Sequence, residues 1–156
     1  VVLVEGDAEF LLINEFFKTV LDCEAHEVGV HVISIGGTSF KRYMSLAKLL
    51  GIRMAAIRDN DRNYQENCVQ NYVEYETDLI KVFADTDDSR WTFEVCVYQD
   101  NNEVCDDLFS GRRRSLSVEE YMLTNKTEVC YKLLLHHGRE LVVPGYIADA
   151  ISWISA

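Results

Sequence analysis

The 156-residue chain has a single proline, five cysteines with no C-x-x-C pair among them, and no apolar run of membrane-spanning length. The unpaired, odd cysteine count (Cys23, Cys68, Cys96, Cys105, Cys130) suggests neither a zinc ribbon nor a disulfide framework. It fits a reducing cytoplasm, with the thiols acting as small buried side chains. Without a signal peptide or spanning segment, no membrane contact is expected. His26, His31, His136 and His137 lack ligand spacing, and nothing fits G-x-x-x-x-G-K-[ST], so no ATP site is expected. Basic charge is also short. Fifteen Lys plus Arg against twenty-six Asp plus Glu leave a net charge of −11, which argues against holding nucleic acid by broad electrostatics. Bound divalent ions or a partner domain can still reverse the field locally. Arg112-Arg113-Arg114 is the one basic run, readable as a weak grip on DNA backbone or as a solvated loop. An initiating methionine is missing too, and residue 1 already lies in an apolar strand, so an excised domain is expected.

With 48% apolar residues the chain is long enough for one domain with a real core. Its first half alternates strands and helices. Residues 1–4 form a β run, followed by helical spacing of Leu12, Ile13, Phe16, Phe17, Val20 and Leu21, with Asp7 as the expected cap. Val30 to Ile35 reads as the second strand, broken at Gly36-Gly37. Thr38 or Ser39 then caps a helix through Phe40, Tyr43, Ala47 and Leu50, stopped by Gly51. Ile52 to Ile57 is the third strand. Connections of this length require parallel pairing and right-handed crossovers.

In the second half, Ile80 to Ala84 reads as a strand, and Thr92-Phe93-Glu94 ends an extended piece before one helix carrying Val97, Val104 and Leu108. Ser117-x-x-Glu120 and Asn125-x-x-Glu128 have capping-box spacing, and Pro144 suits the first turn of a last helix. Gln65 to Asp78 and Asp85 to Asp88 are expected to be mobile loops.

The chemistry sits at two strand ends. The first strand runs into Glu5-Gly6-Asp7-Ala8-Glu9, the third into Asp59-Asn60-Asp61. Clustered carboxylates repel unless solvated, protonated or neutralised by a cation. In an open parallel sheet the C-terminal strand ends line one crevice, so the two clusters can converge there on hard divalent ions. Capping and loop roles are the alternative for either cluster alone.

Taken in order, V-E-G-D-A-E, I-S-I-G-G-T-S-F-K, R-D-N-D, T-F-E and N-K-T-E resemble the C-terminal Toprim domain of OLD-family (overcoming lysogenisation defect) ATP-dependent endonucleases across the chain. The resemblance implies an α/β fold with a central, mostly parallel, Rossmann-like sheet, flanking helices and a helical C-terminal part, all in one Toprim nuclease domain over 1–156. It implies two Mg²⁺ or Mn²⁺ ions on Glu5, Glu9, Asp59, Asp61 and Glu94. It assigns catalysis to Lys126, Glu5 and Asp59, with Gly36-Gly37 as a backbone turn near the site. DNA is the implied substrate, and the partner is an N-terminal ATPase domain outside this sequence, through which the protein could homo-oligomerise. Two other functions stay open: a phosphoacceptor receiver-like signalling domain, and a silent metal-binding Toprim assembly module.

Overall fold

The computed structural model describes residues 1–111 and 115–156. Four strands, β1 (Val2–Val4), β2 (Val32–Ser34), β3 (Met54–Ile57) and β4 (Ile80–Phe83), form one all-parallel sheet in the order β2-β1-β3-β4. The chain leaves β1 towards β2 on one side and returns to β3 on the other, which makes the gap between β1 and β3 the topological switch point. Right-handed crossovers then demand helices on opposite faces. They are α1 (Asp7–Leu21) and α2 (Phe40–Leu50).

Two cores result from strand alternation. Val2, Val4, Ala55 and Ile57 face α1 and the helical second half, whereas Leu3, Met54, Ala56 and Ile80 face α2. The second half supplies α3 (Phe93–Asp100), α4 (Asn102–Phe109), α5 (Val118–Thr124), α6 (Lys126–His136) and α7 (Gly145–Ile154). Phe16 and Phe17 of α1 meet Phe93, Val129 and Ile147 in this larger core. All five cysteines are free thiols; Cys68, Cys96, Cys105 and Cys130 are buried, whereas Cys23, also expected to be buried, is only half-buried. Among the described residues no helix is long and apolar enough to cross a membrane.

Several local expectations need correction. Asp7 lies inside the first turn of α1, and Gly6 occupies the cap position. The single helix expected after Glu94 is two, because the buried Asn101 interrupts it: its amide donates to the carbonyls of Val97 and Val142 and its oxygen accepts from the Val142 N–H. Ser117 and Glu120 form their capping box. Asn125 caps α6 by position only, since its amide turns back to the Tyr121 carbonyl and Glu128 pairs with Lys132. Pro144 precedes α7, with its carbonyl accepting the Ile147 and Ala148 N–H groups. The stretch read as a mobile loop from Gln65 contains a π-helical turn, Gln65–Gln70, and buries Tyr72 edge-on against Phe40.

Gly36 and Gly37, at φ 65° and 139°, turn the chain out of β2 so that the Gly37 N–H reaches the Glu5 carbonyl at 3.0 Å. The second of these conformations belongs almost wholly to glycine. Gly37→Ala should therefore destabilise the fold by about 1–3 kcal/mol, read by denaturant unfolding. A loss within error would mean that the turn relaxes without cost.

Candidate metal centre

Glu5 leaves the end of β1, Glu9 follows one helical turn later in α1, and Asp59 lies just past β3. Because β1 and β3 are paired neighbours (Val2 with Ala55, Leu3 with Ala56), these positions open on the same crevice. One carboxylate oxygen from each of the three lies within 4.8 Å of the others. They line a cleft of about 330 Å³ with Gly36, Gly37, Glu94 and Lys126.

Burial and mutual repulsion make this trio expensive to ionise. Desolvation, then the Asp59 charge, pushes the Glu5 carboxyl up to about 8. Burial raises Glu9 to about 7, against a backbone hydrogen bond that favours its charge. Asp59 is raised to about 6, again mainly by burial, with the Thr92 hydrogen bond working the other way. Glu5 Oε1 is buried with no hydrogen-bond partner, and the Arg58 guanidinium stands 3.9 Å away.

An orphaned buried oxygen among three raised carboxylates fits a hard divalent cation. Glu5, Glu9 and Asp59 would hold such an ion, since each offers an oxygen ligand and these oxygens lie within 4.8 Å of one another.

Asp59 is held from behind. Its Oδ1 accepts the Phe93 N–H at 2.8 Å and its Oδ2 the Thr92 hydroxyl at 2.5 Å. The same hydroxyl lies 2.8 Å from Glu94 Oε2, which also accepts from Lys126 Nζ at 2.8 Å. One hydroxyl hydrogen cannot serve two carboxylates. A further proton or a nearby cation must therefore ease the contact between Asp59 and Glu94, and Lys126 supplies part of that charge. Burial opposes the Lys126 ammonium, but the Glu94 bond and the carboxylates around it hold its pKa above the ordinary value.

The expected residues thus divide. Glu5, Glu9 and Asp59 converge, with Glu94 and Lys126 beside them. Asp61 does not join the trio: at φ 51° its carboxylate accepts from Arg58 at 2.8 Å. Arg112, Arg113 and Arg114 lie outside the described residues. The sequence reading passed over Thr92, Arg58 and Asn60. Arg58 is buried, donating to the Asp59 carbonyl and the Tyr72 hydroxyl as well as to Asp61. Asn60 is 1% exposed, and its amide bonds the carbonyls of Asp85 and Asp87 while its oxygen accepts the Arg62 N–H. The available signal was an arginine and an asparagine inside an acidic motif directly after an apolar strand.

The four-stranded parallel sheet with its flanking helices has the Toprim fold. Residues 1–61 match the family model described as Overcoming lysogenization defect protein-like, TOPRIM domain. Its structure is similar to the C-terminal region of the Burkholderia pseudomallei OLD protein, with 21% identity and a TM-score of 0.67, covering 98% of this chain and 94% of that one. It is also similar to the C-terminal region of the Xanthomonas campestris pv. campestris OLD protein, with 20% identity and a TM-score of 0.62, covering 99% and 92%. No curated protein sequence gives a significant match. Glu5, Glu9, Asp59 and Asp61 lie in the matched segment; Glu94 and Lys126 lie beyond it.

The raised carboxyls set a pH dependence. An acid whose folded pKa exceeds its unfolded value stabilises the fold below the unfolded value, and that contribution is lost as pH rises through the folded one. For Glu5 this window runs from the ordinary 4.5 to about 8. The metal-free domain should lose stability across it, with a shallower slope in Glu5→Gln. Metal binding displaces these protons, so the melting-temperature gain on adding millimolar Mg²⁺ or Mn²⁺ should widen from about pH 5 to about pH 8. A gain that does not vary with pH would contradict the assigned trio.

Thr92 generates a separate expectation. Thr92→Ala should weaken the metal-induced melting shift by releasing Asp59, and Thr92→Ser, which keeps the hydroxyl, should restore it. Equal shifts in both variants would show that the hydroxyl does not position Asp59.

Proposed function

We propose that this domain is a metal-dependent DNA endonuclease that hydrolyses phosphodiester bonds by a two-metal mechanism. The observation that carries this reading is the convergence of Glu5, Glu9 and Asp59, with one orphaned oxygen, beside the Lys126 ammonium. Bound at the carboxylates, Mg²⁺ or Mn²⁺ would supply activation of the attacking water and stabilisation of the leaving 3′-oxygen. Glu5, Glu9 and Asp59 would hold the first ion. Glu94 and Asp61 are the candidates for the second, which would require Asp61 to exchange Arg58 for metal.

Lys126 cannot ligate metal in its charged form. Half exposed and tethered to the buried Glu94, it would present its ammonium to the scissile phosphate and offset the charge that develops there. The pairing orients the lysine without consuming all of its three donors.

The similar structures are C-terminal regions of OLD proteins, which supports a longer protein whose N-terminal ATPase domain would be the partner and the route to a homo-oligomer. A cytoplasmic location belongs to the same reading. A receiver-like switch is less well supported, because it needs its lysine at the end of a fifth strand and Lys126 opens α6. A silent assembly module would bind metal and cut nothing.

Supercoiled plasmid with Mg²⁺ or Mn²⁺ separates these readings. The wild-type chain should nick or linearise it without ATP, Asp59→Ala should lose both cleavage and much of the metal-induced stabilisation, and Lys126→Ala should keep that stabilisation while cleaving on the order of 10²-fold more slowly. Activity that persists in EDTA, or is unchanged in Asp59→Ala, would count against the proposal.

A further inference from the structure

We infer that the start of α2, with Lys41 and Arg42 beside the Gly36-Gly37 turn, is the surface on which a nucleic-acid strand lies as it leaves the carboxylate cleft. The inference rests on the nuclease reading and adds the route of the substrate.

Charge distribution motivates it. In a chain of net charge −11, no acidic residue occurs between Glu27 and Asp59, while five basic ones do: Lys41, Arg42, Lys48, Arg53 and Arg58. Two of these are engaged in the fold. Arg58 is buried under the acidic loop, and Arg53 donates to the carbonyls of Trp153 and Ala156. The other three are exposed on α2. Among the described residues none of the three has a carboxylate within ion-pairing distance, whereas Lys18, Arg58, Arg90, Lys126, Lys132 and Arg139 all do. Cations left without counter-ions in an acidic protein suit a polyanion.

Position selects the partner. The turn from residue 35 to residue 39 follows β2 at the edge of the sheet where Glu5 and Asp59 lie, with the Ile35 N–H bonded to the Val4 carbonyl and the Gly37 N–H to that of Glu5. Gly36 and Gly37 line the carboxylate cleft. A second groove, which includes Ile35 and Ser39 at the two ends of the same turn, is lined by Ile35, Ser39, Arg42, Tyr43 and Leu46, without a carboxylate. Lys41 Nζ is held over the rings of Tyr72 and Tyr75, at 5.7 and 5.5 Å, which fixes the charge at low entropic cost. A strand whose scissile phosphate sits at the trio would cross the side-chain-free glycines and meet Arg42 and Lys41 next. Tyr43 offers a partly buried ring for a sugar or base.

The test is fluorescence anisotropy of the 156-residue chain with a labelled DNA oligonucleotide, with Ca²⁺ in place of Mg²⁺, over a range of salt. Lys41→Ala/Arg42→Ala should raise Kd about tenfold and lower the slope of log K against log salt by about 1.5 to 2, leaving the Mg²⁺-induced melting shift intact. Arg42→Ala alone, which preserves the Lys41 stack on the tyrosines, should give about half that slope change. Arg139→Ala, which removes an ion-paired cation, should change neither. Wild-type binding with an unaltered Kd and slope in the double variant would overturn this surface and leave the nuclease reading standing. A wild-type chain that neither binds DNA nor cuts plasmid would defeat both. Binding to phosphatidylserine vesicles that depends on Lys41 and Arg42, without DNA binding, would assign the face to a membrane and overturn the inference.

Discussion

Three carboxylates driven together at the ends of two adjacent parallel strands are the constraint around which the rest of the molecule is arranged. The β1–β3 pairing fixes Glu5 and Asp59 side by side, and the first turn of α1 adds Glu9. Burial denies them the water that would screen their repulsion. What surrounds them is a set of partial compensations: the Arg58 guanidinium near Glu5, the Phe93 N–H and Thr92 hydroxyl on Asp59, and Lys126 on Glu94. None donates a hydrogen bond to Glu5 Oε1, from which the Arg58 guanidinium stands 3.9 Å away. The compensation holds the cluster in place and stops short of neutralising it, which is the electrostatic condition a cation site needs.

Much of this was legible in the sequence because it depends on short-range pattern. Apolar strands ending in acids, helical spacing from Leu12 to Leu21, and paired glycines after the second strand each follow from local rules, and they point to Glu5, Glu9 and Asp59, whose carboxylates lie together in the fold. What local pattern cannot carry is the direction in which a side chain turns after the strand has ended. Asp59 and Asp61 look equivalent in R-D-N-D, yet the left-handed backbone at Asp61 and Arg62 sends the second carboxylate to Arg58. Asn60 sustains that bend from inside, through carbonyls twenty-five and twenty-seven positions away. Asn101 is the same lesson in the helical half: an asparagine at helical spacing reads as an exposed polar residue until the Val142 backbone arrives to bond both ends of its amide group.

The helical half also explains why the site is assembled from elements of unequal sequence signature. Glu5, Glu9 and Asp59 are fixed by strand ends, a tight turn and a helix start, which together restrict residue type at many neighbouring positions. Lys126 needs only that α6 begin where it does, and that start is set by apolar packing of Val129, Cys130 and Leu133 against α1. Such packing is satisfied by many combinations of similar volume. The match to the OLD-like Toprim family model accordingly ends at residue 61, while the structural likeness continues over nearly the whole chain. The Lys126–Glu94 pair is where the two halves meet: it ties the first turn of α6 to the first turn of α3, and through Thr92 to Asp59 at the end of β3. Any shift of the helical half relative to the sheet would move Lys126 and the support behind Asp59 together, so the lysine and the carboxylate trio keep their spacing by sharing one hydroxyl and one buried carboxylate.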